Sequence, residues 1–156
     1  MNNFILASNS PRRKEILKNA GYVFSVIPSN YDEKISGLNF SKSIVENCAY
    51  NKALDVSKNN YENLIVSADT VVVFGNIILG KPHDKIEAFE MLKNLSNKTH
   101  FVATSICLIK KELIIKDTQI TYVTFRKLND DEIIKYIDEK NPLDKAGSYG
   151  IQDEGF

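Results

Sequence analysis

The chain has 156 residues, 43% of them hydrophobic and 26% charged, with 20 basic residues against 20 acidic ones. That length fits one domain able to bury roughly two-thirds of its unfolded surface, and the composition is ordinary for a globular chain. Zero net charge argues against a broad nucleic-acid or membrane surface and leaves room for a local basic pocket. No apolar run is long enough to span a bilayer, and the N-terminus has no basic segment followed by a long apolar one, so the expected location is the cytoplasm. Cys48 and Cys107 lack metal-ligand spacing and are expected to pack as small apolar residues.

Phe4-Ile5-Leu6-Ala7 is short and apolar, as a buried strand is. Ser10 then offers a hydroxyl at an N-cap and Pro11 sits at N1, where no backbone N–H is missed. Ile16, Leu17 and Ala20 follow at helical spacing, and Gly21 marks the residue just past the helix end. Arg12 and Arg13 fall in the first turn, where the helix dipole disfavours cations. With Ser8 just upstream, the pattern suits a bound anion, a phosphate above all. Residues 23–27 read as a second strand stopped by Pro28, and residues 29–39 as a polar loop carrying Asp32 and Glu33.

Ser41 is expected to cap the next helix, with Phe40 packing on Val45 as a hydrophobic staple. Ile44, Val45, Cys48, Ala49, Ala53 and Val56 form its apolar stripe, with Lys52 at the edge. Residues 64–66 and 71–74 are β-branched runs, and between them stands Asp69, costly in such surroundings unless paired or functional. Gly75-Asn76 reads as a two-residue hairpin of type II′, glycine first. Asp84 and Glu87 open a helix to about Leu95 as an aspartate form of the capping box. Residues 101–109 and 113–125 pair across a turn at 110–112. Asn129 and Glu132 cap a last helix with Ile133, Ile134 and Ile137 on one face, stopped by Asn141-Pro142. The glycine-punctuated tail, residues 145–152, reads as a binding loop. Strands, helices and two hairpins together predict an α/β fold with a mixed, twisted sheet flanked by helices.

Basic groups at element ends or edges (Arg12, Arg13, Lys52 and Lys81) alternate with acidic ones (Asp32, Glu33 and Asp69). Singly, each has a bland reading as a solvated or snorkelling charge. Brought together, they suit a triphosphate accompanied by Mg²⁺, which takes a few carboxylates plus phosphate oxygens and water. The cations would neutralise phosphate charge while one carboxylate takes a proton from an attacking water. There is no GxxxxGK[ST] stretch, no GxGxxG and no zinc-ligand pattern. His83 and His100 are expected at the surface or in packing rather than in catalysis.

Four motifs in register carry a resemblance: ILASNSPRR (Ile5 to Arg13), SADTVV (Ser67 to Val72), LGKP (Leu79 to Pro82) and LDKAGSYGIQ (Leu143 to Gln152). Together they resemble the Maf family of nucleoside triphosphate pyrophosphatases, over almost the whole chain. The resemblance implies a single domain over residues 1–156, related to inosine triphosphate pyrophosphatases, with a long sheet bordering a nucleotide cleft. It implies hydrolysis of a nucleoside triphosphate to the monophosphate and pyrophosphate, aided by a divalent cation, Mg²⁺ or Mn²⁺. The SPRR, ADT and YGIQ forms are similar to the branch acting on dTTP and UTP rather than on 7-methyl-GTP. Carried over residue by residue, Asp69 matches the proton acceptor. Arg12, Thr70 and Gln152 match positions linked to base choice. Ser8, Arg13, Lys52 and Lys81 match phosphate-facing positions, and Glu33 with Asp69 the metal site. Family members usually continue past the equivalent of Phe156 with a further strand and helix, so the resemblance implies a chain truncated at its C-terminal end. The expected partner is the nucleotide, with no membrane or nucleic acid and a homodimer left open. An alternative is a nucleotide-binding regulator without turnover, acting on septum formation.

Overall fold

The computed structural model describes residues 3–32 and 34–153. Among these, the elements run β1 (Phe4–Leu6), α1 (Pro11–Asn19), β2 (Phe24–Val26), α2 (Lys42–Ser57), β3 (Ile65–Phe74), β4 (Ile77–Leu79), α3 (Lys85–Leu95), β5 (Thr99–Lys110), β6 (Leu113–Thr124) and α4 (Asp130–Lys140). Two short 3₁₀ turns, Pro142–Asp144 and Ala146–Ser148, follow. The strands form a six-stranded sheet in the order β2-β1-β3-β5-β6, with β4 paired to β3. The pairs β1–β2 and β1–β3 are parallel and β3–β4 is antiparallel, so the mixed α/β sheet expected from the sequence is present. None of the described helices is long and apolar enough to cross a membrane. Packing divides the described residues into two compact units, the first of 3–32, 34, 41–69 and 104–119, the second of 35–40, 70–103 and 120–153.

In the first unit, β1 is buried along its whole length between β2 and β3. Ala49, Ala53 and Val56 of α2 pack with Ile5, Ala7, Ile65, Cys107 and Ile109. Alanines four apart on one face leave space for a helix to lie close on a sheet. Both cysteines are buried and neither is in a disulfide, as their isolation in the sequence predicts. Helix α1 starts as expected, with the Ser10 hydroxyl accepting from the Arg13 N–H. It ends in paired bonds from Gly21 N–H to Lys18 C=O and from Tyr22 N–H to Leu17 C=O, a Schellman closure with Gly21 at φ +80. Its expected apolar stripe is not buried: no residue of α1 is, and Ile16 is 62% exposed. The helix is closed at both ends by its own cap bonds, at Ser10 and at Gly21. Ser41 occupies the N-cap of α2 without making the expected cap, because its hydroxyl pairs with the Ser43 hydroxyl at 3.0 Å.

In the second unit, α3 and α4 supply Ala88, Leu92, Leu95, Ile133, Tyr136 and Ile137 to one core with Val72, Phe125, Leu128 and Tyr149. The last helix carries the full capping box read from the sequence, Asn129 with Glu132. At α3 the Asp84 side chain accepts from Glu87 N–H as expected, but the Glu87 carboxylate reaches His83 N–H instead of closing the box. The β3–β4 turn is of type I′ rather than II′: Gly75 and Asn76 both have positive φ, +54 and +69. Asparagine tolerates the left-handed region, so the pair suits the turn whose twist best matches the strands. His100 is buried, sharing a 2.6 Å hydrogen bond between Nε2 and the Tyr149 hydroxyl, with Phe125 packed edge-on. His83 is exposed. The sequence expected both at the surface or in packing, without dividing the two places between them.

Candidate functional site

Strand β3 runs unbroken through Asp69, where the sequence suggested a junction between two strands. Residues two apart on a strand share a face, as do residues three apart on a helix. Ser67 and Asp69 accordingly meet Ala49 and Lys52 of α2. The buried Ser67 hydroxyl donates to the Ala49 carbonyl, and Lys52 Nζ pairs with Asp69 Oδ1. The side chains of Lys52 and Asp69 are 26% and 14% exposed, so the ion pair is partly withdrawn from water but still reachable. Ser67 was not singled out in the sequence. Its one signal was a hydroxyl within an otherwise apolar run.

The N-terminus of α1 belongs to the same unit. Ser8, itself buried, accepts from Arg13 Nη1 at 3.1 Å and from Ser10 N–H at 3.2 Å. Its hydroxyl thus folds the loop and aims the arginine. Burial pulls the Arg13 pKa below its ordinary value; attraction to Asp69 opposes this, and Arg12 adds repulsion. The Asp69 carboxylate therefore acts on both Lys52 and Arg13. Arg12 is exposed.

Helix α2 also pins the loop that follows β2. Asp55 Oδ2 accepts from the Ser29 hydroxyl at 3.0 Å and from Asn30 N–H at 2.9 Å. Asn51 Nδ2 donates to the Tyr31 hydroxyl at 3.0 Å. One turn of helix, Asn51 to Asp55, thus presents Lys52 and fastens residues 29–31. Glu33, expected at the metal site, lies outside the described residues. No group of three or more His, Cys, Asp or Glu side chains that could hold a metal gathers among the described residues. The carboxylate that stands beside Lys52 and Arg13 is that of Asp69. One or two carboxylates completed by substrate phosphates and water is the usual way magnesium is held, so the donor chemistry fits a cation that arrives with a nucleotide.

In the second unit, Thr70 continues β3 and is exposed, as are Lys81 and Gln152. The loops bearing Lys81 and Gln152 are tied to each other, because Gly147 N–H donates to the Gly80 carbonyl at 3.0 Å. Gly147 has φ +68, and a Cβ there would come within 2.9 Å of Val72 Cγ1, so the tail needs glycine at this crossing. Ser8, Arg13, Lys52 and Asp69 are thus brought together within one unit, while Thr70, Lys81 and Gln152 stand in the other.

A family model described as "Maf-like protein" matches residues 3–156. Proteins of Bacillus anthracis and Bacillus cereus (strain ZK / E33L), each named dTTP/UTP pyrophosphatase, are 46% identical to the chain over 155 residues. These alignments take in 99% of the chain and 81% of each relative. Among solved structures, a HAM1 protein from Coxiella burnetii superposes with a TM-score of 0.55 at 14% identity, over 78% of this chain and 72% of that one. A nucleoside-triphosphatase / dITP/XTP pyrophosphatase from Mycobacterium abscessus gives 0.50 at 12% identity, over 78% and 73%. At such identities the likeness is one of fold, and it agrees with the fold relationship expected from the motifs.

Proposed function

Because the chain belongs to the family of Maf-like proteins, we propose that it hydrolyses nucleoside triphosphates, dTTP and UTP in particular, to the monophosphate and pyrophosphate. The observation that carries this reading is the gathering of Asp69, Lys52, Arg13 and Ser8 in one unit, all of them residues to which the resemblance gives a role. The names of the 46% identical relatives support the substrate choice.

Asp69 accepts the proton of a water whose oxygen attacks the α-phosphorus. The bond from that phosphorus to the α,β-bridging oxygen breaks, and pyrophosphate departs with the electron pair. Positioned general bases of this kind contribute about 10²- to 10⁴-fold to rate. Lys52 holds Asp69 in place, and Lys52 and Arg13 face the charge on the departing pyrophosphate, a role that the resemblance also gives Lys81. Ser8 holds Arg13. A divalent cation, Mg²⁺ or Mn²⁺, would be held by Asp69 and Glu33 and would supply charge neutralisation on the phosphates. The resemblance links Arg12, Thr70 and Gln152 to the choice of base. The Gln152 amide has both a donor and an acceptor, which match the N3–H and O4 edge of uracil and thymine.

The test is pyrophosphate release from dTTP, UTP, CTP, GTP and 7-methyl-GTP, with and without Mg²⁺. Preference for dTTP and UTP is expected. Preference for the methylated purine overturns the substrate assignment, and tight binding of dTTP without product favours a regulator over an enzyme.

A further inference from the structure

The phenol of Tyr136 grips both ends of the turn that carries Gln152. Asp153 N–H donates to the Gly150 carbonyl at 2.9 Å, closing a four-residue turn with Ile151 and Gln152 at its centre. Both central residues are exposed. Tyr136, on α4, is 3% exposed, with its ring in the core of the second unit. Its hydroxyl donates to Asp153 Oδ2 at 2.7 Å and accepts from Gly150 N–H at 3.1 Å. Lys145 Nζ lies 4.0 Å from the same carboxylate oxygen. A Cβ at Gly150 would come within 2.8 Å of that oxygen, so the absence of a side chain there is what lets the carboxylate reach the phenol. Burial first, and the bond to Asp153 second, raise the Tyr136 pKa, so the phenol keeps its proton and remains a donor at working pH.

We propose that Tyr136 is a positioning residue for base selection: by fixing Gly150 and Asp153 it holds the Gln152 amide in the direction in which it meets the base. The proposal rests on the assignment of Gln152 to base choice made above. Two central residues with both flanks fixed have few torsional states left to lose when the nucleotide arrives. Such preorganisation favours the base whose donors and acceptors match over one that must be met by rearrangement. Asp153 is the acceptor that makes the grip charge-assisted, and a charge-assisted bond is roughly twice as strong as a neutral one.

The experiment compares kcat/KM for dTTP, UTP and CTP in the parent, Tyr136→Phe, Asp153→Ala and Gln152→Ala. Tyr136→Phe keeps the ring and removes only the hydroxyl. The expected result is a fall of about 5- to 20-fold in the dTTP-to-CTP ratio for Tyr136→Phe and Asp153→Ala, carried by KM more than kcat. An equal loss on all three nucleotides, or none, assigns Tyr136 a merely structural role and overturns the proposal. Should Tyr136→Phe fail to fold, Asp153→Ala carries the same comparison, because it removes the acceptor from the half-exposed end of the grip. If Gln152→Ala leaves the ratio unchanged, the assignment of Gln152 fails and the proposal fails with it. If Gln152→Ala lowers the ratio and the other two variants do not, only the role of Tyr136 is refuted.

Discussion

Replacing Lys52 by methionine isolates the ion pair at the centre of the first unit. Methionine keeps the unbranched stem and its packing while removing the ammonium. Asp69 is then left 14% exposed with no cation on Oδ1. An exposed pair is worth about 0.2–1 kcal/mol, and breaking a fully buried one costs about 3–5 kcal/mol. With exposures of 26% and 14% this pair lies between those limits, so a loss of about 1–3 kcal/mol is expected. For a chain of this size that corresponds to a fall of roughly 3–10 °C in Tm. Asp69→Asn should cost less, because the amide oxygen still accepts from Lys52. The double variant should cost less than the sum of the singles by about 1 kcal/mol or more, since no unpaired carboxylate remains. Urea unfolding of the four proteins measures this directly. Additive costs, or a Lys52→Met protein as stable as the parent, would falsify the claim that the two side chains form an energetic unit.

Two further expectations concern pH and loop order. Burial lowers the His100 pKa below its ordinary 6.5, and Nδ1 has no hydrogen-bond partner among the described residues. The unfolded chain therefore takes up this proton first, so stability contributed at neutral pH is lost as pH falls below 6.5. A His100→Gln variant should show a flatter dependence of its urea midpoint across that range, and an unchanged slope would show that His100 does not set it. Asp55 is held below its ordinary 3.8 by the Asn30 N–H first and the Ser29 hydroxyl second. Its stabilisation is present above 3.8 and is lost as pH falls through the depressed folded value. Asp55→Ala should speed proteolytic cleavage around residues 29–31 at neutral pH, and equal cleavage of parent and variant would refute the pinning role.

Local signals were legible where neighbouring residues alone decide the outcome. The Asn129 and Glu132 box, the Ser10 cap with its proline, and the Gly21 closure all satisfy backbone groups within one turn of themselves, so the sequence holds the whole interaction. The Gly75-Asn76 turn was visible as a turn but not as type I′, because the choice follows the twist of the two strands. Ser41 had the right residue type, yet a second hydroxyl at Ser43 took its hydrogen bond. Ile16 kept helical spacing with nothing to bury it, since spacing describes a face and not what lies against it. At the site, Asp69 stood out because a carboxylate in an apolar run demands an explanation, and Lys52 is the partner that provides it. Asn51, Asp55 and Tyr136 were silent, and Ser67 showed only as a hydroxyl in an apolar run. Their roles come from pairings 14 to 26 residues apart in the chain, which no local pattern encodes.

The most direct test of hydrolysis at Asp69 is to run the reaction on dTTP in ¹⁸O-enriched water and locate the label by mass spectrometry. Attack at the α-phosphorus places ¹⁸O in dTMP and leaves pyrophosphate unlabelled, and Asp69→Asn should abolish the labelled product. Label in pyrophosphate, release of orthophosphate as the first product, or unchanged labelling in Asp69→Asn would contradict the account.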